Sequence, residues 1–136
     1  MKNDKLKKWL VSANNDFLAA GFLLDQSEDK VITNIVCYLS QQSVEKFLKA
    51  FLCFKDVYFT KTHTLEILLN KCINIDSSLQ PISIGRLTSY NISMRYPDEF
   101  RVPALNEAKE SYKINKSIRD IILSKVSITE QDISLF

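Results

Sequence analysis

Apolar residues recur at three- and four-residue intervals along two long stretches of the chain. The first stretch runs from about Asp4 to Leu24, and its apolar positions are Leu6, Trp9, Leu10, Ala13, Phe17, Ala20 and Leu24. The second repeats the pattern at Ile32, Ile35, Val36, Leu39, Val44, Phe47, Leu48, Phe51 and Leu52. This spacing puts the apolar side chains on one face of an α-helix. The pattern therefore predicts two long helices, separated by the polar residues from Gln26 to Lys30.

Two further helices are predicted in the middle of the chain. Thr62 is a suitable N-cap for a short third helix that ends near Ile73, and Glu66 lies favourably near its positive end. Ser78 is the predicted cap of a fourth helix with Pro81 in its first turn. The apolar positions of that fourth helix are Leu79, Ile82, Leu87, Tyr90 and Met94.

Prolines mark an irregular segment before the last long helix. Pro97 and Pro103 bracket residues that cannot form one continuous helix. The last long helix is capped by Asn106 or an earlier residue, ends near Val126, and faces inward with Ala108, Tyr112, Ile114, Ile118, Ile121 and Ile122. In the tail, 127–136, Thr129 and Asp132 have the spacing of a helix start, and the tail packs either on the bundle or on a second subunit.

These elements predict an all-α fold, an up-and-down antiparallel bundle of four to five helices. Two glycines and three prolines are too few for a fold that depends on many tight turns. A length of 136 residues with 46% hydrophobic content is typical of one domain, so residues 1–136 are expected to form a single helical domain.

Composition limits the chemistry. The net charge of +2 neither indicates nor excludes binding to nucleic acid. No apolar run is long enough to span a membrane or to form the core of a signal peptide. A cytoplasmic protein is therefore expected. Cys37, Cys53 and Cys72 are odd in number and have no C-x-x-C spacing, which favours free thiols and no metal site. Gly21 and Gly85 each stand alone, so no phosphate-binding glycine loop is present.

Polar residues at helical spacing form the candidate site. Gln42, Glu45, Lys46 and Lys49 are three or four residues apart, so they share one stripe of the second helix and Glu45 can pair with Lys49. This stripe is either a solvated or structural face, or part of an anion site. In the second case Lys46, Lys61, His63 and Arg95 converge near the start of the third helix to bind a nucleotide phosphate or the acidic surface of a partner.

Four segments together resemble one known family, the HEPN domain. They are Trp9-x3-Ala13-x2-Asp16 with Leu23-Leu24, Cys37-Tyr38-x2-Gln41-Gln42-x2-Glu45-Lys46-x2-Lys49-Ala50, Lys61-Thr62-His63-x-Leu65-x2-Leu68-Leu69, and Arg95-Tyr96-Pro97-Asp98. The resemblance implies a cytoplasmic helical bundle, usually a homodimer, often encoded beside a small nucleotidyltransferase and acting in toxin-antitoxin or defence systems. Where relatives commonly carry histidine and alanine, this chain has Leu39 and Asn115, so no role that rests on a histidine at position 39 carries over.

The ribonuclease branch of that family resembles a metal-independent nuclease with an arginine followed four to six residues later by a histidine. His63 is the only histidine, and Arg86, Arg95, Arg101 and Arg119 all follow it, so these 136 residues cannot supply that motif.

Three hypotheses remain open. The first is a non-catalytic HEPN module that binds a nucleotide, a small nucleotidyltransferase, or both, through Gln42, Glu45, Lys46, Lys49, Lys61, His63 and Arg95, with no cofactor and no metal. The second is an RNA-cutting toxin with an atypical site. The third is a dimerising bundle without a ligand.

Overall fold

The computed structural model describes residues 2–90 and 97–134, and within these ranges all regular structure is helical. Five α-helices have both ends within the described ranges: α1 (Lys2–Leu24), α2 (Thr33–Phe54), α3 (Leu65–Ile75), α4 (Leu105–Val126) and α5 (Glu130–Ser134). Short 3₁₀ turns lie at Glu28–Lys30, Ser77–Leu79 and Pro97–Glu99. The predicted up-and-down antiparallel bundle is therefore confirmed.

The second helix is the centre of the bundle. α2 packs against α1, α3 and α4, and its side chains Val36, Val44, Phe47, Leu48 and Phe51 are fully buried. Because α2 is covered on several sides, polar residues on it are also withdrawn from solvent, among them Ser40, Gln41, Ser43, Glu45 and Lys49. Buried polar groups need hydrogen-bond partners, so α2 is where a polar network is most constrained.

The prediction that the third helix starts at Thr62 is wrong. α3 begins at Leu65, and Thr64 is the residue before it. The Thr62 hydroxyl does accept a hydrogen bond from a backbone amide, at 3.2 Å, but the amide is that of Thr64, which lies outside the helix. His63 consequently lies in the non-helical segment that precedes α3.

The prediction of a fourth helix from Ser78 is also wrong. Asp76, rather than Ser78, caps the 3₁₀ turn, because its carboxylate accepts from the Ser78 amide at 3.1 Å. Gly85 has φ +53°, which a right-handed helix cannot contain. Helical structure resumes only at residues 89–90, and the predicted Met94 lies outside the described residues. Leu79, Leu87 and Tyr90 are nevertheless buried as predicted.

The end of the chain matches its pattern more closely. α4 ends at Val126 as predicted, and Ser127 follows it in the left-handed conformation that terminates many helices. Thr129 and Asp132 form reciprocal hydrogen bonds at the start of α5, which packs against α1 and buries Ile133. The described part of the tail thus lies on the bundle.

Candidate functional site

A buried carboxylate, Glu45, joins most of the predicted polar residues. Its Oε2 lies 3.0 Å from Lys49 Nζ, so the predicted pair forms, and its Oε1 lies 3.0 Å from His63 Nδ1. Gln41 Nε2 donates to the same Oε1 at 3.3 Å, and Gln42 Nε2 donates to Gln41 Oε1 at 2.6 Å. We call Gln41, Gln42, Glu45, Lys49 and His63 the Glu45 network.

The two basic partners of Glu45 differ in exposure. The Lys49 side chain is 8% exposed, whereas that of His63 is 49% exposed. Because Nδ1 faces a carboxylate, Nδ1 is the nitrogen that carries the proton in neutral His63, which leaves Nε2 as the acceptor. One carboxylate therefore connects a buried ammonium with an imidazole that solvent can reach.

Lys46 lies apart from the Glu45 network. Its Nζ is 2.7 Å from Asp16 Oδ2, and this ion pair bridges α2 and α1. Its charge is consequently compensated within the bundle. Arg95, the last residue of the predicted anion site, lies outside the described residues.

Lys61, in contrast, borders a surface groove of about 560 Å³ beside the network. We call this cavity the basic aromatic groove. Its lining residues are Lys5, Trp9, Lys49, Cys53, Asp56, Val57, Tyr58, Phe59 and Lys61. Three lysines and three aromatic rings thus share one concave surface with a single carboxylate.

The end of α2 determines where this groove lies. Asp56 has φ 58°, and the Val57 amide returns to the Leu52 carbonyl at 2.9 Å, a typical helix C-terminal motif. This reversal directs the following segment back along α2 and towards the start of α1. Tyr58 and Lys61 therefore come to lie near Trp9.

Lys49 connects the groove with the Glu45 network. Its Nζ lies 5.6 Å from the Trp9 ring centroid and 5.9 Å from that of Phe59, and the two rings meet edge to face at 6.1 Å. Both distances allow a cation–π interaction with the ammonium. Tyr58 differs from these packed rings, because it is 82% exposed.

The three thiols are free and lie in different environments. Cys37 and Cys72 are buried, and burial raises the pKa of both, that of Cys72 to about 12. Cys53 is only partly buried and lines the basic aromatic groove. Among the described residues, no three histidine, cysteine or acidic side chains are grouped as a metal site requires.

The arginines with described positions are held elsewhere by acidic or amide side chains. Arg86 and Arg101 contact Glu107, and the pKa of Glu107 falls to about 2, chiefly because Arg101 donates hydrogen bonds to it. Arg119 is buried and donates from Nε to Asn14 Oδ1 at 2.8 Å. The structure therefore brings no described arginine to the Glu45 network.

The sequence prediction missed part of the groove. Tyr58 and Lys5 were not predicted as site residues, and Trp9 was predicted as part of an apolar helix face and as a family mark, not as a site residue. The sequence feature that could have indicated the groove is the pair of adjacent aromatic residues Tyr58 and Phe59. They lie in the polar connection between Lys55 and Lys61. Their meeting with α1 depends on the left-handed turn at Asp56, which the pattern does not reveal.

Comparison with known proteins gives a family match. The family model for the HEPN domain matches residues 6–126. No curated protein and no solved structure match the chain. In the described ranges, no helix has the length and apolar character needed to cross a membrane.

Proposed function

Because this chain belongs to the HEPN domain family, we propose that it is a non-catalytic binding module that holds a nucleotide in the basic aromatic groove. The observation that carries the proposal is the exposed ring of Tyr58 beside lysines from three parts of the chain, Lys5, Lys49 and Lys61. A base can stack on an aromatic face irrespective of its identity, and ammonium groups attract phosphate.

Each group of the groove has a distinct role in this proposal. Tyr58 provides the stacking face, Lys5 and Lys61 provide charge at the open surface, and Lys49 provides a donor at the base of the groove. Glu45 holds Lys49 and the segment around His63 in position. Lys46 contributes by holding α2 against α1 through Asp16 rather than by contact with the ligand.

A calorimetric titration with ADP tests the proposal. Base–aromatic stacking contributes about 1–3 kcal/mol, so Tyr58→Ala should weaken ADP binding by roughly 5- to 140-fold, since 1.4 kcal/mol corresponds to a factor of 10. Lys61→Ala should weaken it as well. Phe100→Ala and Lys109→Ala are matched controls, because both residues are exposed and neither lines the groove. If titration of the wild-type protein with ADP gives no heat of binding, the proposal is wrong.

The proposal also includes protein partners. The resemblance implies a small nucleotidyltransferase encoded nearby and a toxin-antitoxin or defence role, and the lysine-rich rim of the groove suits an acidic partner surface. Co-expression with an adjacent nucleotidyltransferase, followed by affinity purification of the tagged HEPN chain, tests this part. Recovery of the HEPN chain alone would contradict it.

Homodimerisation is a further part of the proposal. α1 exposes Leu18 and, one turn later, Phe22, which is 72% exposed. Large exposed apolar side chains at this spacing suit contact with a second copy. Phe22→Glu should convert a dimer into a monomer in light scattering, whereas Phe100→Glu, a change at another exposed phenylalanine, should not. A wild-type monomer would contradict dimerisation.

One observation favours a second candidate, an atypical ribonuclease. Glu45 orients Nδ1 of His63 at 3.0 Å, and the imidazole is half exposed, an arrangement that general-base catalysis also uses. RNA incubated with the purified protein in chelator would be cleaved faster than with His63→Ala if this candidate is correct. Equal cleavage of RNA by the wild type and by His63→Ala would rule out the ribonuclease. If the protein neither binds ADP nor cleaves RNA, the dimerising bundle without a ligand is the hypothesis that remains.

A further inference from the structure

We infer that nucleotide binding in the basic aromatic groove is coupled to protonation of His63 through the shared carboxylate of Glu45. The inference rests on the proposed function and adds a regulatory property to the same site. It predicts that the module binds an anionic ligand more tightly as the solution becomes more acidic, and that it takes up a proton when it does so.

The coupling starts from the geometry of Glu45. Lys49 on one side and His63 on the other contact different oxygens of this carboxylate, each at 3.0 Å. Lys49 lines the groove, whereas His63 does not, and its ring is half exposed. Glu45 therefore contacts both the basic amine at the base of the groove and the histidine.

The direction of the effect follows from charge. When His63 is neutral, Glu45 compensates Lys49. When His63 carries a proton, the same carboxylate faces two cations, so less of its negative charge offsets Lys49 and more positive potential reaches the groove. Electrostatic interactions between partly buried groups are poorly screened, so a ligand anion experiences this change.

Other charged groups near this site do not reverse the sign. The groove carries Lys5, Lys61 and Asp56, the α1–α2 contact carries Lys46 with Asp16, and the first turn of α3 carries Glu66, which accepts from Thr88. Lys46 and Asp16 offset each other. With Glu45 and Glu66 counted, three carboxylates balance the three lysines that line the groove, so protonation of His63 changes the net charge of this set from zero to +1.

The test uses ADP-ribose as the probe. Its pyrophosphate has no ionisation near neutral pH, unlike the terminal phosphate of ADP, so any change of affinity with pH arises from the protein. Binding is measured by calorimetry from about pH 5 to 8, the range in which histidine titrates, and in two buffers of different ionisation enthalpy, which gives the number of protons taken up.

The wild-type association constant should rise as pH falls, by at most about tenfold per pH unit for one linked proton. In His63→Gln, which keeps a donor for Glu45 but cannot be protonated, the constant should not change with pH and no proton uptake should be detected. Lys61→Gln is the matched control: it should lower affinity at every pH and keep the wild-type slope.

The outcomes separate the two proposals. If ADP-ribose binds with a constant that does not depend on pH, or if His63→Gln keeps the slope, the coupling is wrong and the nucleotide site stands. If neither ADP nor ADP-ribose binds at any pH, the proposed function fails and the coupling fails with it.

Discussion

Glu45 and Lys49 form an ion pair at 3.0 Å, one helical turn apart, on the most buried helix of the bundle, and both side chains are less than a tenth exposed. A pair in this position differs from the exposed pairs that are common on helix surfaces. Its partners are withdrawn from water, so each depends on the other for compensation of charge. This dependence makes the pair a structural element as well as part of the site.

Glu45→Gln should therefore be strongly destabilising. It leaves Lys49 buried without a carboxylate, and breaking a buried pair in this way costs about 3–5 kcal/mol. Asp16→Asn is the matched control, because it removes the more exposed carboxylate that pairs with Lys46, and such pairs contribute roughly 1 kcal/mol or less. Urea unfolding of both variants measures the difference. Equal losses of unfolding free energy would show that Lys49 does not depend on Glu45.

Replacing either of two buried asparagines with alanine should change the stability of the protein, in opposite directions. Asn115 is fully buried, and neither side-chain polar atom has a hydrogen-bond partner among the described residues. Asn14 is also buried, but its Oδ1 accepts from Arg119 Nε at 2.8 Å. Because an unsatisfied buried polar group costs about 1–3 kcal/mol, Asn115→Ala should stabilise the protein by about 1 kcal/mol and Asn14→Ala should destabilise it.

Thermal unfolding of the two asparagine variants is the measurement. A lower melting temperature for Asn115→Ala than for wild type would mean that the cavity left by the amide outweighs the relief of the unsatisfied atoms.

Stability at acidic pH should depend on Glu107. Arg101 and Tyr90 donate to this carboxylate and lower its pKa from 4.5 to about 2. Because the folded pKa is lower, the unfolded chain binds more protons between these values, and stability rises with pH across that window. The contribution is fully present above about pH 5 and is lost as pH falls towards 2.

Glu107→Gln removes this contribution. The difference in melting temperature between wild type and variant should be constant near neutral pH and should shrink as pH falls from about 5 to about 2. A difference that does not change with pH over that window would contradict the assignment of the lowered pKa to Glu107.

Cys53 should be the thiol that reacts fastest with an alkylating reagent. Cys37 and Cys72 are buried and their pKa values are raised by burial, so little thiolate forms at neutral pH. Intact mass spectrometry after brief exposure to iodoacetamide should show one adduct on the wild type and none on Cys53→Ser. Because Cys53 lines the groove, ADP should slow the reaction. Two or three adducts forming together would mean that the core opens readily.

The sequence pattern predicted the elements that repeat a helical face over many turns. α1, α2 and α4 were predicted within a few residues, because their apolar periodicity is long and continuous. The start of α3 was misplaced because Thr62 and Thr64, two residues apart, offer equally suitable caps. Only the tertiary contact of the Leu65 amide with Thr88 distinguishes them. Gly85 was compatible with a helix by pattern, and its positive φ is a tertiary property.

The candidate site was predictable only in part. Glu45 and Lys49 follow from helical spacing, and their burial follows from the central position of α2, which the pattern does not give. The partner of Lys46 could not be predicted, since Asp16 is distant in sequence. The groove itself depends on the left-handed residue Asp56, which brings Tyr58 towards Trp9.

The central claim is that a nucleotide occupies the basic aromatic groove, and Trp9 allows a direct measurement. It is the only tryptophan of the chain and it lines that groove, so its emission reports on occupancy. Titration with ADP, with correction for absorption by the base, should change the Trp9 emission to a saturating value, and Tyr58→Ala should require a much higher ADP concentration. Emission that stays constant as ADP is raised, in a protein whose unfolding shows that it is folded, would contradict the claim.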